Sequence, residues 1–436
     1  MKIKEMLILV LLGISAWVQA QTKLSLQQAY ELALAHNFSI QIATNEFEIT
    51  KKNNVIGNAG MLPVINGVVT QDNQVIDTKQ KFLNGAENNR DGAKSNSLNA
   101  GVEMSWTLFN GMKMFATKQR LSELEAMGKL RLRQQIESTL SRVAKAYLDA
   151  LLAKEQLSIS NQVLSIGEKR LSVAQAKVSA GKSSKSEVLT VQVNLNADKA
   201  AAKRSLAVYK NSKLNLIQML GLQTTFEFEL EDTWINSELV SFESFKEDAL
   251  KQNSGIQMSR MGMNIAKSQL KELKGDRYPS LQFRSGYTYT QQESEAGFLQ
   301  SSNNRGLHYG LGLNLNLFNG FDVDRKIGIA KISQRTADLF YKDSLLKLEV
   351  AISQAYENYK TNVDLLQFEE QNVQLAQQNY DLAKDQQANG LLSINDLRIA
   401  EVNYMQSMQR KFQAAYEAKL SLIELERLSG KLMGKS

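Results

Sequence analysis

Side chains able to do covalent or metal chemistry are few in this chain and do not gather. Among 436 residues there are two histidines, His36 and His308, and no cysteine. Zinc-type sites need several His, Cys or carboxylate ligands at short spacings, and neither histidine has such neighbours. Without cysteine there is no thiolate nucleophile, no thiolate metal site and no disulfide. No Gly-rich phosphate loop, HExxH or GxSxG pattern occurs, so the residues predict no enzyme and call for no cofactor or metal. The 52 basic and 45 acidic residues leave a net charge of +7 but are interspersed. Such mixing describes solvated helix faces and not a nucleic-acid surface. What remains is recognition and electrostatics. Ala180-Gly181-Lys182-Ser183 and Asn389-Gly390-Leu391-Leu392-Ser393 carry glycine where helices end. Asp396 then falls in the first turn of the next helix, where a carboxylate complements the dipole.

The two turns belong to a duplication. Leu108-Phe109-Asn110-Gly111 returns as Leu317-Phe318-Asn319-Gly320, a shift of 317 − 108 = 209 that also carries Gly181 onto Gly390 and Gly221 onto Gly430. Nearer the start of each copy the shift is 279 − 63 = 216, taking Pro63 to Pro279 and Asn37 to Asn253. All the length change therefore falls between Pro63 and Leu108. Two copies in register over some two hundred residues imply two equivalent structural units. The expected organisation is a first repeat over 21–222, a linker over 223–240 and a second repeat over 241–436.

Long helices must position the turns. Pro63 and Pro279 are the only prolines, and nothing breaks a helix from about Met112 to Ser179, roughly 100 Å at 1.5 Å per residue. The spacing predicts helix hairpins over 112–221 and 321–430, with tips near 181 and 390. In the first, Ile136, Val143, Ala150, Leu157, Leu164, Leu171 and Val178 recur every seven residues. Small residues (Thr139, Ala146, Ala153, Ser160, Gly167, Ala174) mostly follow three places later, as in a tight coiled coil. Leu152, Ile159, Ile166 and Val173 make a second seam on the far side, so this helix needs a neighbour on each side. The second copy repeats the design with Leu345, Ile352, Tyr359, Leu366, Val373 and Tyr380, and with Phe368, Leu375 and Leu382 on the other seam.

Upstream of each Asn-Gly the period changes to two. Leu98, Ala100, Val102, Met104, Trp106 and Leu108 alternate with Asn99, Gly101, Glu103, Ser105 and Thr107. Leu307, Tyr309, Leu311, Leu313, Leu315 and Leu317 alternate with His308, Gly310, Gly312, Asn314 and Asn316. Each run of about eleven residues suits a tilted transmembrane strand. Partners are expected after each proline, giving strand pairs near 63–78 with 97–109 and near 279–291 with 306–318. Asn84–Asn96 and Ser294–Asn304 are expected as polar loops. Leu98, Val102, Met104, Trp106, Leu311, Leu313 and Leu315 would face lipid. Four strands cannot close a barrel, and lipid tolerates no open strand edge. Subunits should therefore share one barrel, twelve strands if three associate. Residues 1–20 carry Lys2 and Lys4, an apolar run from Met6 to Val18 and small residues before Ala20. This is the pattern of a cleaved secretory signal, and no cysteine follows it to accept lipid. A secreted trimeric coiled-coil structural protein or adhesin is the alternative. It explains the helices and the leader but not the paired strands or the duplication.

Taken together, the sequence resembles the TolC-type outer-membrane efflux proteins. The resemblance is carried by the repeat, the entries Met61-Leu62-Pro63 and Tyr278-Pro279-Ser280, the Leu-Phe-Asn-Gly exits and the two helical turns. It implies a mainly α fold with a small transmembrane β part: a homotrimer with a 12-strand barrel continued by a coiled-coil periplasmic tunnel. It also implies an outer-membrane location, contact with outer-membrane lipid, and docking to a periplasmic adaptor (membrane-fusion) protein and an inner-membrane pump. Matched to that pattern, Gly181, Ser183, Gly390, Leu391 and Ser393 are adaptor-contacting tips and Asp396 lines the periplasmic entrance. A second entrance acid is replaced by Ile399, leaving a single acidic ring.

Overall fold

The computed structural model describes residues 22–231, 234, 241–296 and 299–432. The leader lies outside these residues, and so does most of 232–240 within the expected linker. In chain order the described elements begin with β1 (Thr22–Leu24), α1 (Leu26–His36), α2 (Phe38–Asn53), β2 (Val64–Lys81) and β3 (Glu87–Asn110). The first long hairpin follows as α3 (Lys113–Ser179) and α4 (Lys185–Leu220), then β4 (Phe228–Leu230). The second copy runs α5 (Phe242–Gln252), α6 (Ser254–Gly275), β5 (Ser280–Ser294), β6 (Ser301–Asn314), α7 (Asp322–Ala388) and α8 (Ile394–Leu428). The chain is thus mainly helical with one larger antiparallel sheet. Two compact units result, one of residues 1–45, 131–257 and 344–436, the other of 46–130 and 258–343.

In the first unit the core is made by the midsection of α3 and the C-terminal end of α4. Leu140, Val143, Tyr147, Leu148 and Leu151 of α3 pack with Leu216 and Leu220 of α4 and with Phe228 of β4. Burying a tyrosine requires a partner for its hydroxyl. That of Tyr147 lies 2.9 Å from the Leu24 carbonyl oxygen and 2.8 Å from that of Glu231, beside the parallel β1–β4 pair. The duplication is visible in single hydrogen bonds. Asn37 donates from its amide to the Met219 carbonyl at 2.7 Å, and Asn253 does the same to Leu428 at 2.9 Å. Each joins the end of a short helix to the end of a long one. Gly221, at φ +74°, sits so close to the His36 carbonyl oxygen that a Cβ would come within 2.4 Å of it. Gly430 repeats the arrangement against Gln252. Only glycine combines the left-handed turn with that approach.

In the second unit the sheet order is β2-β3-β5-β6, antiparallel throughout. Three sequence expectations need correction here. Most of the stretch expected as a loop at Asn84–Asn96 is strand: β3 starts at Glu87 and the β2–β3 hairpin turns within 82–86. Likewise β6 already begins at Ser301. Apolar alternation could not reveal these ends, because the strands there are wet on both faces. At its other end β6 stops at Asn314, so Leu315 and Leu317 fall beyond the last strand residue. The chain is turning there into α7, through Gly320 and Phe321 at φ +64° and +63°. Gly111 and Met112 make the same left-handed pair at the matching exit, φ +66° and +65°. Asn110 closes that turn by accepting from the Met114 N–H at 3.0 Å.

Candidate functional site: helix tips, ion cluster and sheet faces

The tips are built by the same local chemistry twice. Gly181 and Gly390 adopt φ +69° and +74°. Lys182 N–H donates back to Lys177 O at 2.8 Å and Leu391 N–H to Gln386 O at 2.9 Å, six-residue closures that satisfy the last helix carbonyls. The next helix is then capped by serine. Ser393 accepts from the Asp396 N–H at 3.2 Å, while its own hydroxyl donates to Asp396 Oδ2 at 2.6 Å. In the first copy the cap is Ser184, accepting from Glu187 N–H at 3.3 Å. Ser183 instead donates to the Glu187 carboxylate. The shift of 209 maps Ser184 onto Ser393 and Glu187 onto Asp396, a correspondence that singling out Ser183 overlooked. Asp396 and Leu391 are exposed, as is Ile399.

Behind the tips lies a cluster of charges that no sequence motif announces. Arg170 of α3 donates to Glu401 of α8, which is fully buried. Arg398, also on α8, donates to Glu401 Oε1 at 2.9 Å and to Asp198 Oδ1 of α4 at 2.8 Å. Two guanidinium groups and two carboxylates thus join three helices with no net charge. Gly167 permits the approach: a Cβ there would stand 3.2 Å from Asp198 Oδ2 and 3.2 Å from Leu195. Burial first, and then the neighbouring Arg398 charge, push the Arg170 pKa down, while Asp198 and Tyr380 oppose the shift. Asp198 Oδ2 is buried without a hydrogen-bond partner. Inside a protein a fully satisfied network is rigid, and an unsatisfied acceptor is costly. The cluster therefore pins α8 to the first hairpin while retaining a local conflict. Close by, Tyr380 and Tyr404 stack with centroids 5.8 Å apart.

On the sheet, pairing fixes two faces. One carries Val102, Tyr287 and Leu307 in one row, Met104 and Tyr309 in the next, and Trp106, Phe283 and Leu311 beyond them. Leu311 and Leu313 are 66% and 70% exposed. From Leu281 to Tyr287 the apolar rows run about 20 Å along the strand, somewhat less than the band of about 25 Å on membrane barrels, and the next row pairs Tyr289 with Arg305. Trp106 holds its place by donating to the Met61 carbonyl at 2.9 Å. Leu98 lies on the same face but in a row with Gln291 and Asn303, outside the band. The opposite face carries Glu103, Ser105, Gln282, Arg284, His308 and Asn314. Among the described residues the outer edges of β2 and β6 have no strand neighbour. Among the described residues no helix is long and apolar enough to cross a membrane, and no His, Cys, Asp and Glu group could hold a metal ion.

Residues 29–222 and 246–431 match the family model described as outer membrane efflux protein. The chain belongs to that family, with both copies matched. Solved structures share its fold. A membrane protein from Pseudomonas aeruginosa aligns over 93% of this chain and 90% of its own, with a TM-score of 0.75 and 14% identity. The outer membrane protein VceC from Vibrio cholerae aligns over 93% and 96%, with a TM-score of 0.74 and 15% identity. The Campylobacter jejuni CmeC outer membrane channel aligns over 93% and 85%, with a TM-score of 0.73 and 16% identity. No curated protein matches the chain.

Proposed function

We propose that the protein is the outer-membrane exit duct of a tripartite efflux or type I secretion system. Three copies close one 12-strand barrel, four strands from each, and their long helices form a tunnel through the periplasm. A cleaved leader at 1–20 directs export, 21–222 and 241–436 are the two duct repeats, and 223–240 belongs to an equatorial belt. A periplasmic adaptor meets the tips at Gly181, Ser183, Gly390, Leu391 and Ser393, and an inner-membrane pump supplies the energy. Conduction through the duct itself is passive. The observation that carries this reading is the sheet: an apolar face over strands whose two outer edges are unpaired. Unpaired edges are not tolerated in lipid, so strands of neighbouring copies must cover them.

The helical unit supports the same closure. Phe368 and Leu375 of α7 are 61% and 64% exposed, and on α4 so is Leu189, at 64%. Apolar stripes that differ on the two sides of one subunit make a head-to-tail contact, and such contacts close a ring when the rotation between copies divides a full turn. At the periplasmic end three Asp396 carboxylates form one acidic ring that narrows the entrance and favours cations. Purified protein reconstituted in planar bilayers is expected to give small, discrete, long-lived channels and a trimeric mass in detergent. A soluble monomer without channels would overturn the duct. Replacing Asp396 with Ala should raise conductance and weaken cation preference. No change in either would remove Asp396 from the entrance.

A further inference from the structure

The polar face of the sheet holds a charged station in otherwise uncharged surroundings. Pairing places Asn66, Glu103, Gly286 and His308 in one row across all four strands, and Val64, Ser105, Arg284 and Gly310 in the next. The row on one side contains Val68, Gly101, Thr288 and Gly306, and the row on the other contains Thr107, Gln282 and Gly312. Within these four rows the only ionisable side chains are Glu103, Arg284 and His308. The next acid on this face, Asp72, stands three rows away. Beyond Gln282 and Asn314, the adjoining hollow is bounded by Lys113, paired with Asp276 at 2.8 Å, and by Asp322, which holds both Lys326 and Arg325 at 2.6 Å.

Glycine shapes the station. A Cβ on Gly286 would lie 2.7 Å from His308 Cε1 and 2.9 Å from its Nε2. The imidazole therefore lies across β5 in the space glycine leaves, reaching toward the strand that bears Glu103. Gly310 and Gly312 open the neighbouring surface, and Arg284 is steadied there by donating to Gln282 Oε1 at 3.0 Å. The result is a furrow of about 580 Å³ lined by Gln282, Arg284, His308, Gly310, Gly312 and Asn314 among others. Guanidinium, imidazolium and amide groups around a bare backbone floor suit a carboxylate or phosphate.

We propose that Arg284 and His308 form a weak anion-binding station in the barrel lumen, with Glu103 as its counter-charge. This rests on the duct reading, which makes this face the lumen. Arg284 and Glu103 cancel, so His308 decides the sign. Neutral, it leaves each subunit's station uncharged, and protonated, it gives three positive charges in a trimer. Rings of like charge in a pore select the opposite ion. The station takes anionic groups of passing cargo more strongly as pH falls.

The test is the reversal potential of single channels of the full chain in a potassium chloride gradient at low salt, at pH 8 and pH 5. Chloride-over-potassium permeability should rise at least about eightfold from pH 8 to pH 5, the order expected for three unit charges about 10 Å from the ion in water. His308→Asn should abolish that rise, and Gly286→Ala, which displaces the imidazole without removing it, should reduce it. Arg284→Gln should lower chloride preference at both pH values, and Glu103→Gln should raise it. Channels with equal selectivity at the two pH values, or an unchanged pH response in His308→Asn, would overturn the station and leave the duct standing. Folded protein that forms no channels at all would overturn the duct reading and the station with it.

Discussion

Ile159 and Phe368 occupy the same place in the two copies (368 − 159 = 209), yet one is 2% exposed and the other 61%. The seam continues alike through Ile166 and Leu375, and Leu375 is exposed where Ile166 is half-buried. The first copy thus covers more of its second seam with its own chain, and the second copy leaves its seam bare. The ion cluster shows the same inequality. Arg398 and Glu401 of the second hairpin are drawn into it, and their counterparts at the shift of 209 are Leu189 and Gln192, both exposed. Asn379 and Ser407 stand opposite Arg170 and Asp198. A duplication that began as two equal hairpins has become one hairpin that grips and one that is gripped. In the duct reading, the bare seam of the gripped hairpin is what the next subunit covers.

Charge placed on the two seams should separate these roles most sharply. Phe368→Asp with Leu375→Asp is expected to leave the subunit folded and abolish the trimer, reducing the detergent mass by two thirds. Ile159→Asp should instead unfold the subunit, at about 4 kcal/mol or more for an unpaired charge in a core. If both variants merely dissociate, the seams do not differ in kind.

Much of this was legible before any coordinates. Helix extents, both tips, the seams and the clearest strand faces follow from seven-residue and two-residue periods, because a face that is buried or meets lipid must be uniformly apolar. The ends of β2, β3 and β6 were not legible, because strands solvated on both faces leave no alternation. Ser184 was missed although the shift of 209 points to it from Ser393. The cluster of Arg170, Asp198, Arg398 and Glu401 could not be read at all. Arg170 and Asp198 are 28 positions apart and both stand 200 or more from Arg398 and Glu401, and each alone resembles an ordinary charge on a helix surface. Only packing shows that Glu401 is inside.

The cluster gives the next contrast. Glu401→Ala would leave Arg170 buried without its carboxylate, at a cost of about 3–5 kcal/mol. Hydrogen exchange should show faster opening of α8 near the tip. Gln192→Ala, the matching change in the first copy, should alter exchange by less than about 0.5 kcal/mol. Equal effects would mean that the cluster holds nothing together.

A third contrast depends on pH. Burial, and secondarily the Glu426 charge, raise the pKa of Tyr30 well above the usual phenol value. The folded chain therefore keeps this phenol protonated where the unfolded chain ionises it. Its contribution is whole below about pH 10 and is lost as pH rises further, by up to about 1.4 kcal/mol per unit. Tyr30→Phe should flatten the alkaline loss measured by denaturant titration between pH 9 and pH 11. Its counterpart at the shift of 216 is Lys246, held by Glu349 at 2.9 Å on the surface, and Lys246→Met should leave the alkaline loss in place. The smallest effect should also be the most symmetrical. Ser184→Ala and Ser393→Ala remove one cap each, about 1 kcal/mol, with local exchange at the two tips responding alike.

The central claim is that the bare seam of the second copy meets the first copy of a neighbouring subunit. Leu189 and Leu382 lie equally far from their tip glycines (189 − 181 = 8 and 390 − 382 = 8), and they are 64% and 57% exposed. Because the chain has no cysteine of its own, a Leu189→Cys, Leu382→Cys double variant places one pair of thiols at that seam. Mild oxidation in outer-membrane fractions should give reducible covalent dimers and trimers from the double variant and neither from the single variants. Monomers alone, at any oxidant concentration that leaves the protein folded, would contradict the account.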